Sequence, residues 1–323
     1  MYVLAIDGGG TKTSAVICDE FGNIYAKVET TRSNPTAMDV QYFKSTIHDI
    51  LQNLQQQNPR VFAAIDSCFA GMAGVKELQA EEVVEMIVRQ YVHKKAHVFV
   101  DNDALIALYA GTLGQEGIVQ IAGTGAITMG YDCKQHFHRV GGWGYLFDDE
   151  GSGYDLGVQV MKAIFKSYDG RADSTALTDV ILRYFSVENV PQLIERIYGE
   201  VHPRTVIAPV SKYVFDVAEK GDDVAISIIE DACKKYYMAI KACYSCMAWG
   251  QGDVPVVLVG GVFHNEAFII PKLQQLAKAD ELPMQFMTPV LQPIGGAVIA
   301  AFKQVNVQLG SNFVEAFQKN MNR

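Results

Sequence analysis

A chain of 323 residues, 49% of them hydrophobic, has the material for two domains, each with its own core. Its formal charge of -9, from 27 basic and 36 acidic residues, opposes a polyanion, so no nucleic-acid partner is expected. The N-terminus has no basic segment followed by a long apolar one. No stretch approaches the roughly 18 apolar residues of a spanning helix, so a cytoplasmic protein with no membrane partner is expected.

The chain opens MYVLAIDGGGTKTSAVICD, in which VLAI (3–6) and TSAVIC (13–18) read as strands around a glycine turn. A tight turn explains the glycines but not the Asp, Thr and Lys beside them. Helical periodicity follows at Tyr42 to Gln56, with Phe43, Ile47, Ile50, Leu51 and Leu54 on one face, and again at Glu81 to Tyr91. Between them VFAAIDSCFA (61–70) reads as a strand, and HVFVDNDALIALYAG is an apolar strand ending in Asp101, Asn102 and Asp103 before a helix.

The segment GIVQIAGTGAITMGYD (117–132) repeats the opening theme of strand, Gly-Thr turn, strand and Asp. PVVLVGG (255–261), the helix HNEAFIIPKLQQL and the closing QPIGGAVIAAF (292–302) complete a second α/β unit. The expected domains are 1–112 with a C-terminal helix at about 302–323, and 113–301 with a helical insertion at about 154–249. Two such halves facing each other form a cleft. Cys243 and Cys246 have metal-like spacing but lie in a helical pattern from Asp222 to Trp249 with no second Cys/His pair, so both read as buried helix thiols.

Several glycine turns approaching one ligand point to a phosphate chain, and ATP is the natural candidate. The Walker pattern is absent because Thr11 precedes Lys12, and GTGAIT (123–128) has Thr128 where a dinucleotide fingerprint needs its third glycine.

In their order IDGGGTKT, VDNDA, IAGTGA, GGWGYLFDDEGSG, LVGG and QPIGGA, spread over Ile6 to Ala297, resemble the acetate kinase, sugar kinase, Hsp70 and actin superfamily. Within it they are similar to the BadF/BadG/BcrA/BcrD ATPase family, in the branch with N-acetylglucosamine, N-acetylmuramic acid and glucosamine kinases. The resemblance implies two actin-like (ribonuclease H-like) α/β domains facing a nucleotide cleft. Gly9, Gly10, Thr11 and Thr13 should then meet the β and γ phosphates of ATP with Lys12 nearby, and Asp7 should hold Mg²⁺ through water. Gly123, Thr124 and Gly125 correspond to a second phosphate hairpin, and Gly260 and Gly261 to an adenosine loop.

Phosphoryl transfer to a hydroxyl needs a carboxylate to accept its proton, for which Asp101 and Asp103 are candidates. The family pattern of Asp-Ala opening a helix matches Asp103, whose bland alternative is a helix cap. By the same resemblance Gly142, Trp143 and Asp149, with Asn34 from the first domain, line a sugar site. The alternatives are a buried aromatic for Trp143, a loop cap for Asp149 and a turn for Asn34. Contacts from Glu150 and Asp148 stay open.

Two departures bear on the substrate. Ala126 and Ile127 stand where eukaryotic N-acetylglucosamine kinases carry Ser-Asn, and Asp148 stands where Gly is usual. The expected function is ATP-dependent phosphorylation of a small amino sugar at its 6-hydroxyl, with N-acetylglucosamine ahead of N-acetylmuramic acid and glucosamine, by a homodimer. The alternatives are an activator ATPase of a dehydratase or reductase, and a sugar sensor without activity.

Overall fold

In the computed structural model, which describes residues 1–10, 12–76, 78–134 and 136–322 (Ala37 by its backbone alone), the opening glycine turn joins two antiparallel strands. These are β1 (Tyr2–Gly8) and β2 (Lys12–Asp19), with Asp7 opposite Ser14. β3 (Ile24–Thr31) follows; its mixed polar pattern IYAKVETT is that of an edge strand, which the apolar-run criterion missed. Asp39 caps α1 (Val40–Gln57) by accepting from the amides of Gln41 and Tyr42, and the helix buries the five apolar residues read from its period.

The stretch 61–70 is not one strand. Asn58 and Pro59 open a helical turn, α2 (Pro59–Phe62), so β4 starts only at Ile65 and runs Ile65–Met72. After α3 (Glu81–Arg89) comes β5 (His97–Asp101), and β1, β4 and β5 run parallel. The sheet order is β3-β2-β1-β4-β5. α4 (Asp103–Thr112) leaves the end of β5, and every residue after Asp103 is buried, as an apolar-all-round helix requires.

The second sheet is built from β6 (Gly117–Ala122), β7 (Ala126–Tyr131) and β8 (Phe137–Gly141). The helical insertion then supplies α5 (Gly153–Tyr168), α6 (Leu177–Phe185), α7 (Gln192–Tyr198), α8 (Pro203–Ile207), α9 (Ser211–Ala218) and α10 (Asp223–Ser245). β9 (Val254–Val259), α11 (Glu266–Ala279) and β10 (Met284–Met287) complete the unit. Its order, β10-β9-β6-β7-β8, repeats the first sheet: an antiparallel three-strand meander whose first strand also pairs in parallel with the fourth.

The chain divides into two compact units, residues 1–115 with the chain from Pro289 onward, and Glu116–Thr288. The return to the first unit thus comes at Pro289, earlier than the 302 read from the sequence. Its cause is α12 (Pro293–Lys303), which packs on α4 and β1, and whose Gly296 leaves no room for a Cβ against the Ile106 carbonyl. α13 (Phe313–Met321) packs on β3. Among the described residues no helix is long and apolar enough to cross a membrane.

Candidate functional site

In the first unit the parallel register sets Asp7, Gly71 and Asp101 in one row across β1, β4 and β5, at the carboxyl edge of the strands where ligands of open α/β sheets bind. Asp101 is ion-paired to Lys76 at 2.5 Å and accepts from the Asn102 amide at 2.6 Å. Asn102 is the cap of α4, accepting from the Ala104 amide at 2.8 Å, and Asp103 is the first helical residue. Burial, and then the nearby Asp103 carboxylate, push the Asp7 carboxyl up to about 7, with Lys12 pulling the other way. A buried carboxylate so destabilised as an anion fits a divalent cation that keeps several waters, as Mg²⁺ does. Among the described residues no cluster of three or more His, Cys, Asp or Glu forms a metal cage.

The first glycine turn is anchored by its backbone. The Gly9 amide donates to the Lys12 carbonyl at 2.9 Å, the Gly8 carbonyl accepts from the Ala73 amide at 2.8 Å, and Ser33 N donates to the Gly9 carbonyl at 3.3 Å. A Cβ on Gly10 meets nothing within 4 Å, so this stretch of the turn is open to a ligand. Thr11 lies outside the described residues. The Lys12 ammonium sits on Glu29 at 2.6 Å, exposed to solvent. Thr13 is fully buried; its hydroxyl donates to the Thr31 carbonyl at 2.8 Å and pairs with the Ser33 hydroxyl at 2.7 Å. Asn34 caps a single 3-10 turn by accepting from the Thr36 amide and hydroxyl, which is the turn role its Asn-Pro sequence allows.

The second unit repeats this edge. Ile121 and Val259 are aligned on the parallel strands β6 and β9, so the Gly123-Thr124-Gly125 turn and Gly260-Gly261 leave the sheet side by side. Gly260 has φ +114, and a Cβ there overlaps the Ala122 backbone, so glycine is demanded by the fold itself. Cβ atoms on Gly123 and Gly261 meet nothing within 4 Å. The Gly123 carbonyl accepts from the Gly153 amide at 2.7 Å, joining the turn to the start of α5.

The loop 141–152 lies beside that turn. Arg139 donates to the Gly141 and Gly142 carbonyls at 3.0 and 2.5 Å and covers one face of the Trp143 ring at 4.4 Å. Trp143 is 69% exposed, not the ordinary buried aromatic. Gly142 has φ +73 with Ile127 directly beneath it, which gives Ile127 a packing role. The Asp148 carboxylate accepts from the Trp143 amide at 3.1 Å. Ile127, Trp143, Phe147, Asp148, Glu150 and Lys235 line a cavity of about 650 Å³.

Asp149 is buried in a left-handed conformation, φ +61. Its carboxylate meets Arg204 Nη2 at 3.1 Å, so it is tied into the loop as well as facing the turn. Burial, with Asp148 adding, lifts its carboxyl above the usual range, against bonds from the Ala126 and Gly144 amides and the pull of Arg204. Lys235 joins α10 to the start of α5 by pairing with Asp155 at 3.0 Å. Sequence reading missed Arg139, Arg204 and Lys235, none of which stands in a motif. Cys243 is buried, but Cys246, also read as buried, is exposed at the end of α10, which stops at Ser245 short of Trp249.

Two sheets of one topology, each with a glycine turn at its edge, and a carboxylate pair on the first are matched by a family model over residues 4–301. The chain belongs to the BadF/BadG/BcrA/BcrD ATPase family. It is similar to the N-acetylmuramic acid/N-acetylglucosamine kinase of Clostridium acetobutylicum, at 30% identity over 93% of this chain and 98% of that protein. The N-acetyl-D-glucosamine kinase of Dictyostelium discoideum is 27% identical over 92% of this chain and 97% of its own. Among solved structures, a candidate N-acetylglucosamine kinase of Chromobacterium violaceum superposes with TM-score 0.69 at 24% identity, covering 92% of this chain and 98% of that one. A glucokinase of the ROK family from Streptomyces griseus superposes with TM-score 0.59 at 16% identity, covering 93% and 98%. This BadF/BadG/BcrA/BcrD chain therefore has the actin-like sugar kinase fold.

Proposed function

We propose that the protein is an ATP-dependent amino-sugar kinase that transfers the γ phosphoryl group to a sugar 6-hydroxyl. The observation that carries this reading is the pair Asp7 and Asp103 at one sheet edge beside an open glycine turn, in a chain of this family. Transfer demands in-line positioning and a base for the hydroxyl proton. Asp103 accepts that proton, and the start of α4 favours its ionised form. Backbone N–H groups of Gly10 and Thr11 in the first turn, and of Thr124 and Gly125 in the second, are donors for phosphate oxygens, while the Gly9 and Gly123 amides close the turns on the Lys12 and Gly125 carbonyls; Lys12 is a mobile cation and Thr13 the strut beneath the first hairpin. Gly260 turns the chain against Ala122, and Gly261, where a Cβ meets nothing within 4 Å, leaves space for the nucleoside.

Mg²⁺ would be held by Asp7 and, when bound, would neutralise charge on the phosphates. The open face of Trp143 stacks on the sugar ring, with Gly142 and Asp149 of the same unit supplying polar contacts. A cytoplasmic homodimer accompanies this reading.

N-acetylglucosamine is the preferred sugar, followed by N-acetylmuramic acid and glucosamine. The acidic pair Asp148 and Asp149 disfavours the lactyl carboxylate of N-acetylmuramic acid. The test is ADP release measured with glucose, glucosamine, N-acetylglucosamine and N-acetylmuramic acid. Loss of the acetamido group removes packing and a hydrogen bond, so glucose should fall about 30- to 1000-fold behind N-acetylglucosamine in kcat/KM. Equal kcat/KM for the two overturns the amino-sugar reading, and a preference for N-acetylmuramic acid reverses the ranking.

A further inference from the structure

Arg204, at the first turn of α8, stands against the second glycine turn: a Cβ built on Gly125 lies 2.8 Å from its Nη2 and 2.9 Å from the Asp149 carboxylate. Its guanidinium lies 5.1 Å over the Tyr145 ring, and the side chain is 34% exposed, within reach of a solute. The Nε atom is buried and has no hydrogen-bond partner among the described residues. A buried donor without an acceptor is unfavourable, and a guanidinium offers a planar fork matched to phosphate oxygens. The first glycine turn holds its own cation elsewhere, since Lys12 is on Glu29.

We propose that Arg204 binds a phosphate oxygen of the nucleotide at the second glycine turn, with Asp149 holding the guanidinium in place until the nucleotide arrives. This rests on the kinase reading above. The geometry explains why a glycine stands at position 125: a Cβ there would collide with the guanidinium and push it off the turn. A plain structural tie between α8 and the loop accounts for the Asp149 contact, but it uses only Nη2 of a fork whose side chain is 34% exposed beside the turn. Tyr145 keeps the plane of the fork in place without neutralising its charge.

The test is calorimetric binding of ATP, ADP and adenosine to the full-length protein and to Arg204→Gln and Arg204→Lys, with unfolding midpoints measured alongside. A lost charge-assisted hydrogen bond should weaken ATP and ADP about 10- to 100-fold in Arg204→Gln. Adenosine should change less than about twofold, and Arg204→Lys should recover part of the loss, because a point charge lacks the fork. Equal weakening of all three ligands, or of none, overturns the inference while leaving the kinase reading standing. If either variant fails to fold, the other is decisive by the same comparison of ADP with adenosine. A wild-type protein that binds none of the three overturns the kinase reading and this inference with it.

Discussion

Asn102 caps α4 by accepting a hydrogen bond from the Ala104 amide at 2.8 Å. The cap of that helix is therefore not Asp103, and the structural explanation for an acidic residue at this point is taken by its neighbour. Asp101, the other candidate base, is held by Lys76. Asp103→Asn should keep ATP binding and lower kcat by about 10² to 10⁴, the usual worth of a positioned base. Steady-state kinetics with a parallel ATP titration check this; unchanged turnover removes Asp103 from the chemistry.

Thr13 supports the first glycine turn from below. Its hydroxyl is fully buried between the Thr31 carbonyl and the Ser33 hydroxyl. Replacing it by the isosteric valine leaves both without this partner, so Thr13→Val should cost about 1 to 3 kcal/mol of stability. Denaturant unfolding measures it. A loss of ATP affinity with no loss of stability would instead assign the hydroxyl to the ligand.

The glycine turns, most of the parallel strands and the long helices were legible because each has a local signature: a Gly-Thr cluster between apolar runs, or an apolar period. β3, β8 and β10 were not read. The first carries alternating Lys and Glu at a sheet edge, and the other two are runs of only five and four residues. The role of α12 was also hidden, because an apolar helix gives no sign of which unit it will cover. Ile127 is similar: the sequence marked it as a departure, and only the space under Gly142 shows what it packs against. Arg204 meets Asp149 across 55 residues of chain, and nothing local to it, beyond a proline opening a short helix, announces that meeting.

The Lys12–Glu29 pair is short at 2.6 Å but exposed on both sides, at 56% and 61%. Solvent screening makes such a pair weak, so Glu29→Gln should leave the unfolding midpoint unchanged. Its effect should appear in ligand binding. If Lys12 must leave Glu29 to reach a phosphate, removing the competing charge should tighten ATP by about two- to fivefold. Unchanged affinity in Glu29→Gln, with unchanged affinity in Lys12→Ala, would take Lys12 out of the site.

Asp155 links the end of the loop 141–152 to two helices: it accepts from the Gly151 amide at 2.8 Å, from Gln159 at 3.0 Å, and from Lys235 of α10 at 3.0 Å. Burial pushes its carboxyl up, but these hydrogen bonds and the Lys235 charge outweigh burial and hold it below the usual carboxylate range. A carboxyl whose pKa is lower in the folded state contributes stability that is fully present above its unfolded value of about 4 and is lost as pH falls through the folded one. Asp155→Asn should thus lower the unfolding midpoint at pH 7. The gap between wild type and variant should narrow below about pH 4, where the wild-type group takes up its proton. Because the same carboxylate positions the Gly151 amide, the variant should also raise KM for the sugar more than KM for ATP. Thermal unfolding of both proteins at pH 7 and pH 3 decides the first point. A gap of constant size across that range would mean that the charge of Asp155 contributes nothing to the tie between loop and helix.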